Sequence, residues 1–249
     1  MVKQRILVVD DDKAVVRLIR GYLEQAEYEV LVAYNGETAV HMIRRELPDL
    51  VLLDLMLPDR DGYDIIRTIR HDPQLALLPI ILVTARVTDT DKIVGLELGA
   101  DDYITKPYNP REVVARVRAR LRIQAGLSQG GTAVPLPRIL RWSIAHLDLE
   151  MDVTRRRVMA QGRMIDLTTT EFDILRVLLE HPGYIWTRGE LIRTALGSDF
   201  DGIDRTVDSH IRNLRRKIEP DPHNPTYIQT IYGVGYRLLL PENNHSQFK

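Results

Sequence analysis

No cysteine occurs among the 249 residues of this chain. That absence removes disulfides, thiolate nucleophiles and cysteine zinc sites, and it agrees with a reducing compartment. Long apolar runs are missing as well. The longest are of strand length, far below the ~20 residues that a membrane span requires. The opening MVKQRILVVDDD passes from two basic side chains straight into an acidic cluster, unlike a secretory signal. The expectation is a soluble cytoplasmic chain. Nor is one sign of charge in surplus: 34 Lys and Arg stand against 35 Asp and Glu, a net charge of −1. No global field draws such a protein to nucleic acid, so any partner of that kind must be met by local clustering. Internal repeats are also absent. Hydrophobic residues at 44% and charged residues at 28% argue against wholesale disorder, and the length suits one large domain or two modest ones.

What is present from Arg5 onward is an alternation of short apolar runs with longer amphipathic stretches, the pattern of parallel strands separated by helices. The strands are expected at Ile6–Val9, Val30–Tyr34, Leu50–Leu53, Ile80–Thr84 and Tyr103–Thr105, rich in Val, Ile and Leu as strands covered on both faces must be. One helix follows Asp12, whose side chain can cap it, and others start near Gly36, Asp61, Asp89 and Pro110. After Ile123 the text QAGLSQGGTAVPLP loses helical periodicity, and a linker is placed over 124–140. The first domain is therefore 1–123, an α/β doubly wound, five-stranded parallel sheet of flavodoxin-like type.

The second domain, expected over 141–241 with a disordered tail at 242–249, is α+β. Ile144–Leu149 alternates like a strand and Val153–Ile165 reads as short hairpins around Gly162. Helices are expected at Thr169–Glu180, Arg188–Ala195 and Asp204–Ile218, followed by strands at Tyr227–Ile231 and Tyr236–Leu239 about the turn YGVG. Trp142 and Trp186 are assigned to packing.

In an open parallel sheet, ligands bind at the carboxyl ends of the strands. Asp10 and Asp11 follow the first strand, Asp54 ends the third, Thr84 ends the fourth and Lys106 follows the fifth, so one crevice gathers carboxylates, a hydroxyl and an ammonium. Crowded carboxylates repel unless a hard cation neutralises them, and Mg²⁺ suits such a set. An ionised Asp is a competent nucleophile toward phosphorus. Each residue taken alone is better explained as a helix cap, a strand residue or a surface charge; their joint placement is what points to chemistry.

These same segments, VVDDD, LLDLMLPDRDGYD, LVTA and GADDYITKPY, resemble a response-regulator receiver domain over essentially all of residues 5–122. The resemblance implies that Asp54 accepts a phosphoryl group from a sensor histidine kinase. It implies that Asp10 and Asp11, with Asp54 and the Met56 backbone carbonyl, arrange Mg²⁺. Lys106 and Thr84 would contact the phosphoryl oxygens, Tyr103 would be the aromatic switch that follows Thr84, and the Lys106–Pro107 bond would be cis. Tyr108 stands where such domains usually carry Phe. A rival reading takes LVVDDDKA as the Asp-x-Asp signature of haloacid-dehalogenase-type phosphatases, with Asp10 as nucleophile and Asp12 as general acid; it leaves Asp54 without a role.

In RTVDSHIRNLRRKI, Val207, Ile211, Leu214 and Ile218 form an apolar stripe, while Arg205, Ser209, Arg212 and Arg216 share the opposite face. A basic helix face is most often solvated surface. Here it follows another helix and precedes a hairpin, the order of a helix-turn-helix with a wing. The stretch from about Ile144 to Leu239 resembles the OmpR/PhoB-type winged helix, carried by Leu167-Thr168, Thr170-Glu171-Phe172, the basic run itself and Ile231-Tyr232-Gly233-Val234-Gly235-Tyr236-Arg237. By that resemblance Arg205, Thr206, Ser209, His210, Arg212, Asn213 and Arg216 are DNA contacts, and Tyr232 occupies the wing position where many relatives have Arg.

The fourth and fifth helices of the receiver carry Lys92, Glu97, Asp102, Glu112, Arg116 and Arg118. The resemblance implies a two-fold dimer on phosphorylation, pairing Lys92 with Glu112, Asp102 with Arg116 and Glu97 with Arg118 across subunits. The sequence as a whole reads as a transcription factor activated by phosphorylation, catalysing only its own phosphorylation and dephosphorylation. Its expected partners are a sensor histidine kinase, tandem half-sites on double-stranded DNA, and RNA polymerase. A receiver with a protein-binding output is the third reading.

Overall fold

Strands covered on both faces need apolar side chains pointing both ways, and the first unit of the chain satisfies this residue by residue. In the computed structural model, residues 3–85, 94–125, 138–144, 147–196 and 205–240 are described. Five strands, β1 (Arg5–Val9), β2 (Glu29–Ala33), β3 (Leu50–Leu53), β4 (Ile80–Thr84) and β5 (Asp102–Thr105), pair in parallel in the order β2-β1-β3-β4-β5. Ile6, Val8, Leu50, Leu52, Ile81, Val83 and Ile104 pack on one side against Val16, Ile19 and Leu23 of α1 (Lys13–Gln25) and Val113, Val117 and Leu121 of α5 (Pro110–Ala125). Leu7, Val9, Val51, Leu53, Ile80 and Leu82 point the other way, toward Ala39 and Ile43 of α2 (Gly36–Glu46), Ile65, Ile66 and Ile69 of α3 (Gly62–Arg70), and Leu96 of α4, which is described over residues 94–97. The period of two along each strand thus feeds two separate cores.

Local chemistry starts the helices where expected. The Asp12 carboxylate accepts from the Ala14 N–H at 2.8 Å and caps α1, so Asp12 acts as a cap and not as an acid poised over a site. Asn35 and Asp61 do the same for α2 and α3. The start expected near Asp89 lies outside the described residues.

Near residue 128 the chain divides, and the second unit is built separately. Strands β6 (Ile139–Ile144), β7 (Leu147–Asp152), β8 (Arg157–Ala160) and β9 (Arg163–Ile165) form an antiparallel meander. They precede α6 (Thr169–Glu180), β10 (Trp186–Thr187), α7 (Arg188–Leu196), α8 (Arg205–Ile218), β11 (Ile228–Ile231) and β12 (Gly235–Leu238), with the last three strands ordered β10-β12-β11. Two sequence expectations need correction. Ile144–Leu149 is not one strand: Ile144 ends β6 and pairs with Leu147, which starts β7. Both strands alternate, so their pattern reads through the junction. The linker placed at 124–140 is also shorter than expected, because α5 runs to Ala125 and β6 starts at Ile139; residues 126–137, and the tail at 242–249, lie outside the described residues.

Thr168 closes a reciprocal cap on α6. Its hydroxyl accepts from the Glu171 N–H at 3.4 Å while the Glu171 carboxylate accepts from the Thr168 N–H at 2.9 Å. The same Oε2 takes Lys217 Nζ of α8 at 2.6 Å, so this cap also ties two helices together. Thr168→Ala is expected to cost about 1 kcal/mol. Both tryptophans, Trp142 and Trp186, belong to the second unit, so denaturant unfolding followed by tryptophan fluorescence reports on that unit alone; an unchanged midpoint would show that the cap contributes nothing.

Candidate functional site

The carboxyl ends of β1, β3, β4 and β5 stand in a row because β3 pairs with β1 and β4, and β4 pairs with β5. Asp54 N–H donates to Val9 O at 2.9 Å, and Lys106 N–H donates to Thr84 O at 2.9 Å, so backbone bonds set the spacing of the four strand ends. There Lys106 Nζ bridges Asp10 Oδ2 and Asp54 Oδ2, each at 2.6 Å. Asp10 and Asp54 are buried and Asp11 is exposed. One carboxylate oxygen from each of the three lies within 4.8 Å of the others. A set of hard oxygen donors at that separation fits Mg²⁺ and does not fit a soft metal. Asp54 Oδ1 accepts from the Met56 N–H at 3.1 Å, which folds the loop after β3 back toward the cluster.

Burial pushes the Asp10 carboxyl up despite its bond to Lys106, whereas burial opposes the charge on Lys106 but the two carboxylates together hold its pKa up. The Tyr108 phenol, beside this group, is pushed up to about 12 by burial and therefore stays neutral. Thr84 is buried at the end of β4, and Tyr103 is buried in the core on the α2 and α3 side of the sheet. The Lys106–Pro107 peptide is cis, as expected. The structure thus brings Asp10, Asp11, Asp54 and Lys106 together at the strand ends.

The charged face on α4 and α5 is arranged differently from expectation. Arg116 donates to Asp102 at 2.9 Å and to Glu112 at 2.8 Å within its own chain, and Asp102 is buried. Asp102 and Arg116, expected as partners across subunits, pair with each other within the one chain. Asp102 opens β5 and Arg116 lies along α5, which directly follows that strand and brings the two into contact. Glu97 is half-buried, Arg118 is exposed, and Lys92 lies outside the described residues.

On α8, Val207, Ile211, Leu214 and Ile218 are buried as expected, and Arg212 and Arg216 are exposed. Ser209, His210 and Asn213 are buried too, which corrects the placing of Ser209 on the open basic face and of Asn213 beside it. They flank the apolar stripe, and the buried arc of the helix is wider than its apolar residues. Arg205 and Thr206 stand in the first turn of α8. Tyr232, between β11 and β12, is 93% exposed.

Several residues that hold this second arrangement together were not singled out by the sequence. Asp208 Oδ1 accepts from Arg188 Nε of α7 at 2.7 Å and from the Tyr236 hydroxyl of β12 at 2.6 Å. Arg188 and Arg215 lie over the Tyr236 ring, at 5.3 and 5.6 Å from its centroid. Arg215 also donates to Ile228 O at 2.7 Å and Thr230 Oγ1 at 2.7 Å, joining α8 to β11. The buried carboxylate of Glu219 accepts the backbone N–H groups of Thr226, Tyr227 and Ile228 and so anchors the start of that strand. The lone acidic residue among the bases of α8 was the available signal for Asp208.

Comparison with known proteins places both units. Residues 6–118 match the family model described as response regulator receiver domain, and residues 162–238 match that described as transcriptional regulatory protein, C terminal. The response regulator DrrB of Thermotoga maritima, described as an OmpR/PhoB homolog, is 34% identical, with 96% of this chain and 100% of that one covered at a TM-score of 0.50. A RitR mutant is 24% identical over 95% of this chain and 99% of that one at a TM-score of 0.72, a likeness of fold. Among the described residues no helix is long and apolar enough to cross a membrane.

Proposed function

The chain belongs to the OmpR/PhoB family of response regulators and is a two-component transcription factor, a receiver joined to a DNA-binding domain; from that premise we propose that phosphorylation of Asp54 controls its binding to DNA. The observation that carries this reading is the bridge from Lys106 Nζ to Asp10 and Asp54 at the strand ends, beside Asp11. A carboxylate oxygen of Asp54 attacks phosphorus on a phosphohistidine of the partner kinase. A P–O bond forms as the P–N bond breaks, and the ring nitrogen keeps the electron pair and takes a proton from water, so that a neutral imidazole leaves. Asp10, Asp11, Asp54 and the Met56 carbonyl would hold Mg²⁺, which would supply charge neutralisation there. Lys106, already at hydrogen-bond distance from Asp54, is placed to follow the phosphoryl oxygens, and the Thr84 hydroxyl with Tyr103 reads out their arrival.

The domains are taken as a receiver over 1–123 and a DNA-binding domain over 141–241. The DNA-binding surface is centred on Arg212 and Arg216 with the first turn at Arg205 and Thr206, and Tyr232 extends from the wing. Exposed charge pairs are worth only ~0–1 kcal/mol each, so on a dimer face Lys92, Glu97, Glu112 and Arg118 set register, and apolar contact supplies affinity. Two joined DNA-binding domains gain affinity for tandem half-sites without any new base contact. RNA polymerase is the further partner at such a site.

Light scattering and DNA titration before and after treatment with acetyl phosphate and Mg²⁺ test the whole scheme. The expected result is a monomer that becomes a dimer at tens of micromolar, roughly the range above typical specific affinities, and binds a selected tandem site more tightly. A phosphorylated protein that stays monomeric and binds DNA no better than before overturns it.

A further inference from the structure

The loop that leaves Asp54 is fastened at a point that the site itself does not use. Asp59 is exposed, yet its Oδ1 accepts from the Gly36 N–H at 2.7 Å and its Oδ2 from the Glu37 N–H at 2.9 Å. These are the first two backbone donors of α2, more than 20 residues away in sequence. The next donor, Thr38 N–H, goes to Asn35 Oδ1 at 2.8 Å, and Ala39 N–H bonds back to Asn35 O at 3.1 Å. The orphan donors at this helix start are therefore shared between a local cap and a carboxylate from the β3–α3 loop. Negative charge at a helix N-terminus is favourable, and the two N–H groups hold the Asp59 carboxyl below the usual carboxylate range.

Helix and loop also touch closely. A Cβ added at Gly36 would stand 2.9 Å from Arg60 Cβ and 3.1 Å from Ile65 Cδ1, so only glycine admits this approach. At its other end the loop is closed on itself. Met56 pairs with Asp61 in an isolated bridge, Gly62 N–H donates to Leu55 O at 3.0 Å, and a Cβ at Gly62 would meet Leu55 Cα at 2.7 Å and Asp54 O at 2.8 Å. The base of the loop is thus set by the Asp54 strand end, and its tip by α2. Met56 lies between the two fixed points.

We propose that Asp59 is a positioning residue: by clamping the β3–α3 loop to the N-terminus of α2, it holds the Met56 backbone where it can serve the cation beside Asp54. This rests on the phosphoacceptor reading of Asp54. Groups that orient metal ligands from outside typically change metal affinity or activity by ~10–100-fold when removed, and a backbone ligand is positioned only by what holds its loop.

Asn35 provides the control, because its side chain caps the same helix by accepting from the Thr38 N–H and not from the loop. Mg²⁺ binding by the full chain is measured calorimetrically, together with the initial rate of labelling by acetyl phosphate, for the parent, Asp59→Ala, Asp59→Asn and Asn35→Ala. Asp59→Ala is expected to weaken Mg²⁺ binding by about 10-fold and to slow labelling. Asp59→Asn, which keeps one acceptor oxygen, falls between it and the parent, and Asn35→Ala binds Mg²⁺ as the parent does. Equal loss of Mg²⁺ affinity in Asp59→Ala and Asn35→Ala would mean that Asp59 acts only as a helix cap, and parental affinity in Asp59→Ala would mean that it positions nothing; either result overturns the inference. A parent that binds no Mg²⁺ and takes no label instead refutes the phosphoacceptor reading, and the inference falls with it.

Discussion

Asp54→Asn is expected to take up no phosphoryl group from acetyl phosphate and Mg²⁺, while the parent forms an acyl phosphate that mass spectrometry places on Asp54. The substitution keeps the shape of the side chain and removes its nucleophile: an amide oxygen does not displace a leaving group from phosphorus as a carboxylate does. The surrounding geometry is expected to survive, since Lys106 retains Asp10 at 2.6 Å and the Asn oxygen can still accept from the Met56 N–H. Loss of labelling then reports chemistry and not collapse. The opposite pattern, in which Asp10→Asn abolishes labelling and Asp54→Asn retains it, would establish Asp10 as the nucleophile of a phosphatase-like site. Asp12, which such a site needs as an acid, already has its carboxylate committed to the Ala14 N–H at the start of α1.

Arg212→Ala is the second large effect. Its side chain is exposed on α8, on the side of the helix away from Val207, Ile211 and Leu214. If the guanidinium reads a guanine through two hydrogen bonds, the variant loses ~1–3 kcal/mol on the cognate site and loses preference at one base pair. If it holds a phosphate, affinity falls uniformly across sequences and the salt slope drops by about one. Tyr232→Ala, by contrast, leaves the salt slope nearly unchanged, because the wing tip carries no charge at that position to displace counterions. Titration of both variants against a selected site at several salt concentrations separates these outcomes. Parental affinity of Arg212→Ala at every salt, with the helical circular dichroism intact, would leave α8 a solvated surface helix.

The buried side chains on α8 show how far a helical pattern can be read. Val207, Ile211, Leu214 and Ile218 were visible as a stripe because their burial is enforced by hydrophobicity. Ser209, His210 and Asn213 carry no such signal: a polar side chain is buried or exposed according to what packs beside the helix. The same holds for Asp102. Nothing in the sequence says that this carboxylate is buried, and α5 brings Arg116 to it at the start of β5, 2.9 Å away.

The amino-acid sequence by itself determined the five parallel strands, the cap at Asp12, the order of helix, basic helix and hairpin in the second unit, and the convergence of Asp10, Asp11, Asp54, Thr84 and Lys106. Each of these follows from short-range rules: apolar runs for strands covered twice, a side-chain oxygen before a helix, and strand ends that face one edge of a parallel sheet. Only the tertiary structure decided that Lys106 bridges two particular carboxylates, that Asp208 gathers Arg188 and Tyr236, and that Asp59 caps the start of α2, a helix that lies before it in the chain. Those contacts join residues distant in sequence, and their partners are chosen by which backbones approach within hydrogen-bond reach once both cores have packed.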